Sequence, residues 1–311
     1  RYVKRKYGWT VVLTQGAVFG LMAGSIIVVF YVLRRKRDRT KLAELRATEL
    51  PDAPAYWSEG GIEIIAHRGY SARAPENTIA ALELAVEYGA TAIEFDVRTS
   101  ADGVPVVIHD DSVERTTNGR GKVARLRLAD LQKLDAGSWF GRAYAGEPIP
   151  TLEEVLIVMA GRMDRIYIEL KERSFKPAVL DGIVDMIDRF GMTEQCVIMS
   201  FDWSYLEHVG TRSAFITTAY LVDNENRFLQ ALQRAQADGR ALVDCNYRIL
   251  LKAPELTRRA ENMDIELAVY TVNDPTVASV LARHGIFRIT TNEVEKLIRW
   301  AAGRSAEDER A

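Results

Sequence analysis

Two hydrophobic patterns divide the chain. Residues 9–33 carry no charged side chain, a run of about 25 residues and enough for a helix to cross a bilayer. From residue 62 the pattern changes to short apolar stretches alternating with amphipathic segments. Strands are predicted near 62–66, 92–98, 165–171, 196–201, 216–222, 242–246, 265–271 and 287–291, with helical periodicity between most of them. The segment 78–88 is one such helix, closed by Gly89 as its C-cap. Strands and helices alternating in this way predict an α/β protein, a parallel (β/α)₈ TIM barrel. An open doubly wound sheet is the alternative, but the glycine-rich phosphate loop that would support it does not follow the first strand.

One strand breaks the alternation. Residues 104–109 are apolar and follow the second strand after a short turn containing Asp102-Gly103, which predicts an antiparallel hairpin. Folding about that turn places Asp96 near Val107 and Glu94 near His109. Residues 111–150 then form a long insertion with several glycines and no clean period, ahead of a helix starting near Thr151.

The expected organisation is therefore an anchor over 1–33 with a single span at 9–33, a basic linker over 34–61, the barrel over 62–303 and a short tail over 304–311. Trp9 and Tyr31 stand near the ends of the span, where amphipathic rings favour the interface. Gly16, Gly20 and Gly24 line one helix face and would admit a second copy of the chain or an upstream helix. Basic residues flank both ends, and the denser cluster, Arg34, Arg35, Lys36, Arg37 and Arg39, favours a cytoplasmic barrel and contact with anionic membrane lipid. A short exposed helix is expected over 41–50, ended by Pro51 and Pro54. The chain begins with Arg1, which leaves room for a segment upstream.

Net charge is −2, which gives no sign of a nucleic-acid partner. Cys196 and Cys245 make neither metal-ligand spacing nor a disulfide framework, and both fall in apolar strands.

The candidate chemistry gathers at strand ends. His67 and Arg68 end the first strand, Glu94 and Asp96 alternate on the second, and Glu169 and Lys171 alternate on the third. Converging inward carboxylates need positive charge, which suggests one hard divalent cation, Mg²⁺ or Ca²⁺. Arg68 and Lys171 would meet an anionic substrate, and His67 with His109 could serve as acid and base. Taken singly, each residue has a plainer reading, a structural histidine or a solvated strand face. His208 and His284 have no comparable neighbours and read as surface or packing residues.

Read together, the motifs resemble the glycerophosphodiester phosphodiesterase family. His67-Arg68-Gly69 and Pro75-Glu76-Asn77-Thr78 match its opening signature. Glu94, Asp96, Thr99, Asp102-Gly103 and His109-Asp110 follow at its spacing, then Thr116, Gly119 and Gly121, the stretch from Ile149 to Glu154, Glu169-Leu170-Lys171 and Tyr270-Thr271-Val272-Asn273. The resemblance covers about residues 62 to 300 and implies the barrel. It implies metal binding by Glu94, Asp96 and Glu169, acid–base catalysis by His67 and His109, and phosphate contacts from Arg68 and Lys171. The implied reaction splits a glycerophosphodiester into glycerol 3-phosphate and an alcohol through a cyclic phosphate. Two positions depart from the pattern: Tyr270 stands where Trp is frequent, and a tyrosine there can still stack on the substrate; Asn292 follows Thr291 where Asp is usual. The other readings are a lysophospholipase D acting on membrane lysolipids and a catalytically weak membrane protein that binds headgroups. The acid–base pair speaks against the last.

Overall fold

The computed structural model describes residues 61–172 and 175–308, with side chains to residue 303. Eight parallel strands close into a ring: β1 (Glu63–His67), β2 (Ala92–Thr99), β4 (Arg165–Leu170), β5 (Cys196–Ser200), β6 (Thr217–Val222), β7 (Ala241–Asn246), β8 (Leu267–Tyr270) and β9 (Arg288–Thr291). Closure is explicit, because β1 pairs in parallel with both β2 and β9. The ninth strand, β3 (Pro105–Val107), lies antiparallel on β2. Helices α1 (Ile79–Glu87), α2 (Leu128–Leu131), α3 (Leu152–Met159), α4 (Pro177–Arg189), α5 (Trp203–Arg212), α6 (Glu225–Asp238), α7 (Tyr247–Lys252), α8 (Glu255–Glu261), α9 (Pro275–Arg283) and α10 (Val294–Asp308) follow the strands.

Local signals start these helices. Thr78 caps α1 by accepting from the Ala81 amide, and Thr151 with Glu154 forms a capping box at α3. Asn224 caps α6, which Gly239 ends at φ 76°. Each strand sends alternate residues to two cores. One set packs under the helices; the other, with Ile65, Ala92, Tyr167, Val197, Ala219, Leu242 and Ala268, fills the barrel. The same period of two carries the ring's inward face up to His67, Glu94, Asp96, Glu169, Asp244, Tyr270 and Thr290. Both cysteines are buried on strands, as expected.

The hairpin forms, but one residue out of the expected register. Val97 pairs with Val107, and the Ile108 amide donates to the Asp96 carbonyl. The Ser100 amide donates to the Val104 carbonyl, so the loop between them has three residues and ends on Gly103 at φ 86°. Segment 111–150 packs on the hairpin through an apolar cluster that includes Ile108, Val113, Val123, Leu131 and Ile149.

The expected placement at a cell membrane is corrected. Among the described residues no helix is long and apolar enough to cross one. α10 has 15 residues, a rise of about 22 Å against a hydrocarbon core of about 30 Å. The span expected at 9–33, the glycine face at Gly16, Gly20 and Gly24, the basic linker and the helix at 41–50 lie outside the described residues.

Gly69 shows how tightly β1 is joined to α1. Its φ is 77°, and a Cβ there would lie 2.5 Å from the Ala81 carbonyl carbon. Gly69→Ala is expected to cost roughly 2–5 kcal/mol, the sum of left-handed strain and overpacking, read as a lower midpoint in denaturant.

Candidate active site

The site lies at the carboxyl ends of the barrel strands. The chain leaves β1 at His67 and turns through Arg68 in a left-handed conformation, φ 58°. This turn aims the Arg68 amide at Glu94 Oε2, 2.9 Å away. On β2, Glu94 and Asp96 share the inward face. Glu169 on β4 is the direct cross-strand neighbour of Asp96. One oxygen from each of these three buried carboxylates lies within 4.8 Å of the others.

Two cations stand over the triad. Lys171 Nζ is 2.9 Å from Glu169 Oε1 and 3.5 Å from Asp96 Oδ1, while Arg68 Nε is 3.2 Å from Asp96 Oδ2. Burial would raise the Asp96 carboxyl, but Arg68, Lys171 and His109 outweigh it and hold the group at about 2. Glu169 is pushed up to about 7 by burial and by the charge of Asp96, against the pull of Lys171. Glu94 rises well above its ordinary value through burial and its two acidic neighbours. Glu94 Oε1 and Asp96 Oδ1 are buried and accept no hydrogen bond among the described residues. An all-oxygen anionic donor set with unused lone pairs fits a hard divalent cation.

The histidines flank this cluster, and each is anchored through Nδ1. His67 Nδ1 lies 2.6 Å from Asn292 Oδ1, and His109 Nδ1 lies 2.6 Å from Asp110 Oδ1. Both partners are acceptors, so each Nδ1 carries the proton and each Nε2 is left for chemistry. His67 Nε2 is 3.9 Å from Glu94 Oε2. Burial, reinforced by Arg68, lowers His67 to about 4. Burial also lowers His109, against the opposite pull of Asp96 and Asp110.

A cavity of about 190 Å³ is lined by seven of the eight residues expected from the sequence: His67, Arg68, Glu94, His109, Glu169, Lys171 and Tyr270. Asp96, the eighth, sits behind them, fully buried. The Tyr270 ring stands edge-on to Phe201 with centroids 6.3 Å apart, and its hydroxyl donates to the Val222 carbonyl at 2.8 Å.

Several neighbours hold the site together without standing out in the sequence. Asn77, at φ 59°, donates to Asp96 Oδ2 at 2.8 Å and accepts from the Asp96 amide at 3.2 Å. Glu76 bridges Arg68 and Arg115, and Arg115 continues to Asp110, so one chain of ion pairs ties the two histidine loops together. Glu76 and Asn77 stood in the opening signature, which marked them without saying what they touch. Asp244 gave no signal at all.

The glycerophosphoryl diester phosphodiesterase family matches residues 67–296. The chain belongs to that family. A glycerophosphodiester phosphodiesterase of Caldanaerobacter subterraneus is 34% identical over 237 residues, covering 76% of this chain and 96% of that one. Another from Bacillus subtilis is 32% identical over 249 residues, covering 73% and 82%. Among solved structures, a phosphodiesterase from Oleispira antarctica in complex with the product sn-glycerol-3-phosphate has a TM-score of 0.67 at 27% identity, covering 79% and 99%. The Agrobacterium tumefaciens enzyme has a TM-score of 0.66 at 28% identity, covering 78% and 99%. This chain is accordingly an enzyme, a phosphoric diester hydrolase acting on glycerophosphodiesters.

Proposed function

We propose that the chain hydrolyses glycerophosphodiesters to sn-glycerol 3-phosphate and an alcohol, in a divalent-cation-dependent reaction run by His67 and His109. The observation that supports this most directly is the single cavity in which both histidines, Arg68 and Lys171 meet the buried acidic cluster. Glu94, Asp96 and Glu169 would hold the cation, which supplies charge neutralisation to the phosphate oxygens.

Arg68 and Lys171 bind and orient the phosphate beside the triad. His67, anchored on a neutral amide, is the base. It takes the proton of the substrate's neighbouring hydroxyl through Nε2 as that oxygen attacks phosphorus. His109, anchored on a carboxylate that favours its charged form, gives a proton from Nε2 to the departing alcohol. A five-membered cyclic phosphate results. In the second step water gives its proton to His109 and opens the ring, and His67 returns its proton to the released glycerol oxygen. No protein nucleophile is needed, because the attacking hydroxyl is already held next to phosphorus. The Tyr270 ring forms a wall for the glycerol.

A substrate change tests the route. The phosphocholine diester of 1,3-propanediol lacks the neighbouring hydroxyl, and its turnover is expected to fall below glycerophosphocholine by about 10³-fold or more, because the intramolecular advantage is lost. Comparable rates on both would rule out the cyclic route. Asn292 gives a second test. Asn292→Leu removes the anchor of His67 and is expected to lower kcat about 10–100-fold with little change in KM, while Asn292→Asp keeps an acceptor and most of the activity. Equal losses in the two variants would mean that Asn292 does not position the ring.

A further inference from the structure

Resting on the reaction above, we infer that Asp244 is the specificity-determining residue of a glycerol subsite and bonds the terminal hydroxyl of the substrate's glycerol. Asp244 lies on β7, and the ring order places β7 opposite β2, four strands away in either direction. Its carboxyl therefore faces the carboxylate and histidine cluster across the barrel mouth. It is 1% exposed and lines the same cavity. Neither of its oxygens has a hydrogen-bond partner among the described residues.

A buried carboxyl without a partner costs stability, so its hydrogen bond must come from what enters the cavity. Besides the charged groups and the histidines, the cavity is lined by Met199, Phe201, Leu221, Tyr270, Thr271 and Thr290. That lining suits the carbon chain of glycerol along its sides and one hydroxyl at its end. Asp244 stands outside the cluster of Glu94, Asp96 and Glu169 that would hold the cation.

The division of space points the same way. A second, larger cavity of about 620 Å³ adjoins the first, and both share Glu169, Lys171 and Phe201. It opens along Glu172, Phe201, Asp202, Trp203 and Arg227. With the phosphate at Lys171 beside Glu169, the small inner cavity holds the part common to every glycerophosphodiester. The larger outer one takes the variable alcohol. The neighbouring hydroxyl is held at His67, so the hydroxyl that reaches across to β7 is the terminal one.

The test uses the full chain with the divalent cation that supports turnover. Its probes are sn-glycerol 3-phosphate and propane-1,2-diol 1-phosphate, which lacks only the terminal hydroxyl. Calorimetry is expected to show the wild type binding glycerol 3-phosphate about 10–100-fold tighter. In Asp244→Ala that preference should fall below about threefold, and Asp244→Asn should keep part of it. Removing an unpaired buried carboxyl should leave the thermal midpoint at or above wild type, so both variants remain folded. A preference that survives in Asp244→Ala overturns the proposal, as does an equal weakening of both ligands. A third contrary result is a variant that loses glycerophosphocholine but not glycerophosphoglycerol, which would put the headgroup on Asp244. If the wild type shows the preference yet hydrolyses no diester, the subsite stands and the proposed reaction fails.

Discussion

His109→Ala is expected to lower kcat on glycerophosphocholine by about 10³–10⁴-fold while leaving the fold and cation binding intact. The side chain is half-buried in the cavity, and among the described residues its ring bonds only to Asp110, which keeps its own ion pair with Arg115. The backbone carbonyl of His109 still accepts from Arg98 Nε at 2.8 Å, so the hairpin keeps its tie to the barrel. The loss then falls on proton delivery to the departing alcohol. A substrate whose alcohol leaves without protonation, such as a 4-nitrophenyl diester of glycerol phosphate, should recover a large part of the deficit. His67→Ala should recover far less with that substrate, because the attacking hydroxyl still needs a base. Equal losses on both substrates in both variants would contradict the assigned roles.

Glu94→Gln is expected to abolish turnover and yet leave the cation-free protein as stable as wild type or more so. Glu94, Asp96 and Glu169 crowd their charges in a buried space, and Glu94 carries an unpartnered oxygen. Its folded value lies above the unfolded one, so above the unfolded value the group subtracts stability as pH rises. The amide keeps the shape and removes that penalty. At a cation concentration 100 times its Kd, the wild type should gain about 2.7 kcal/mol, roughly 5–10 °C in midpoint for a domain of this size. Glu94→Gln should gain little. A differential scanning run with added Mg²⁺ or Ca²⁺ and with chelator reads both effects. A cation-free Glu94→Gln well below wild type, with an undiminished cation response, would show that Glu94 serves the fold and not the cation.

The strands were legible because a buried parallel strand writes itself as a short apolar run, and their observed bounds lie within one or two residues of those read from the chain. Glu94, Asp96, Glu169 and His67 were legible for a related reason: polar residues at inward positions of otherwise apolar strands need an explanation. Asp244 breaks the same rule, but it is a single residue in Ala241–Asn246 with no charged neighbour on its strand. Only closure of the ring shows that β7 faces β2. The hairpin missed its register because the three-residue loop is set by Ser100 and Gly103 backbone bonds, which no periodicity records. Segment 111–150 showed no period because side chains bonded to local backbone hold much of it. Asp135 accepts from the amides of Gly137 and Ser138, and Glu114 accepts from that of Gly121.

The most direct test of the account is release of glycerol 3-phosphate from glycerophosphocholine by the purified full chain, with Mg²⁺ or Ca²⁺ and with chelator. The account predicts release that requires one of these cations, stops with chelator and returns when the cation is restored. Release that continues undiminished in chelator, or folded protein that releases nothing with either cation, would contradict it.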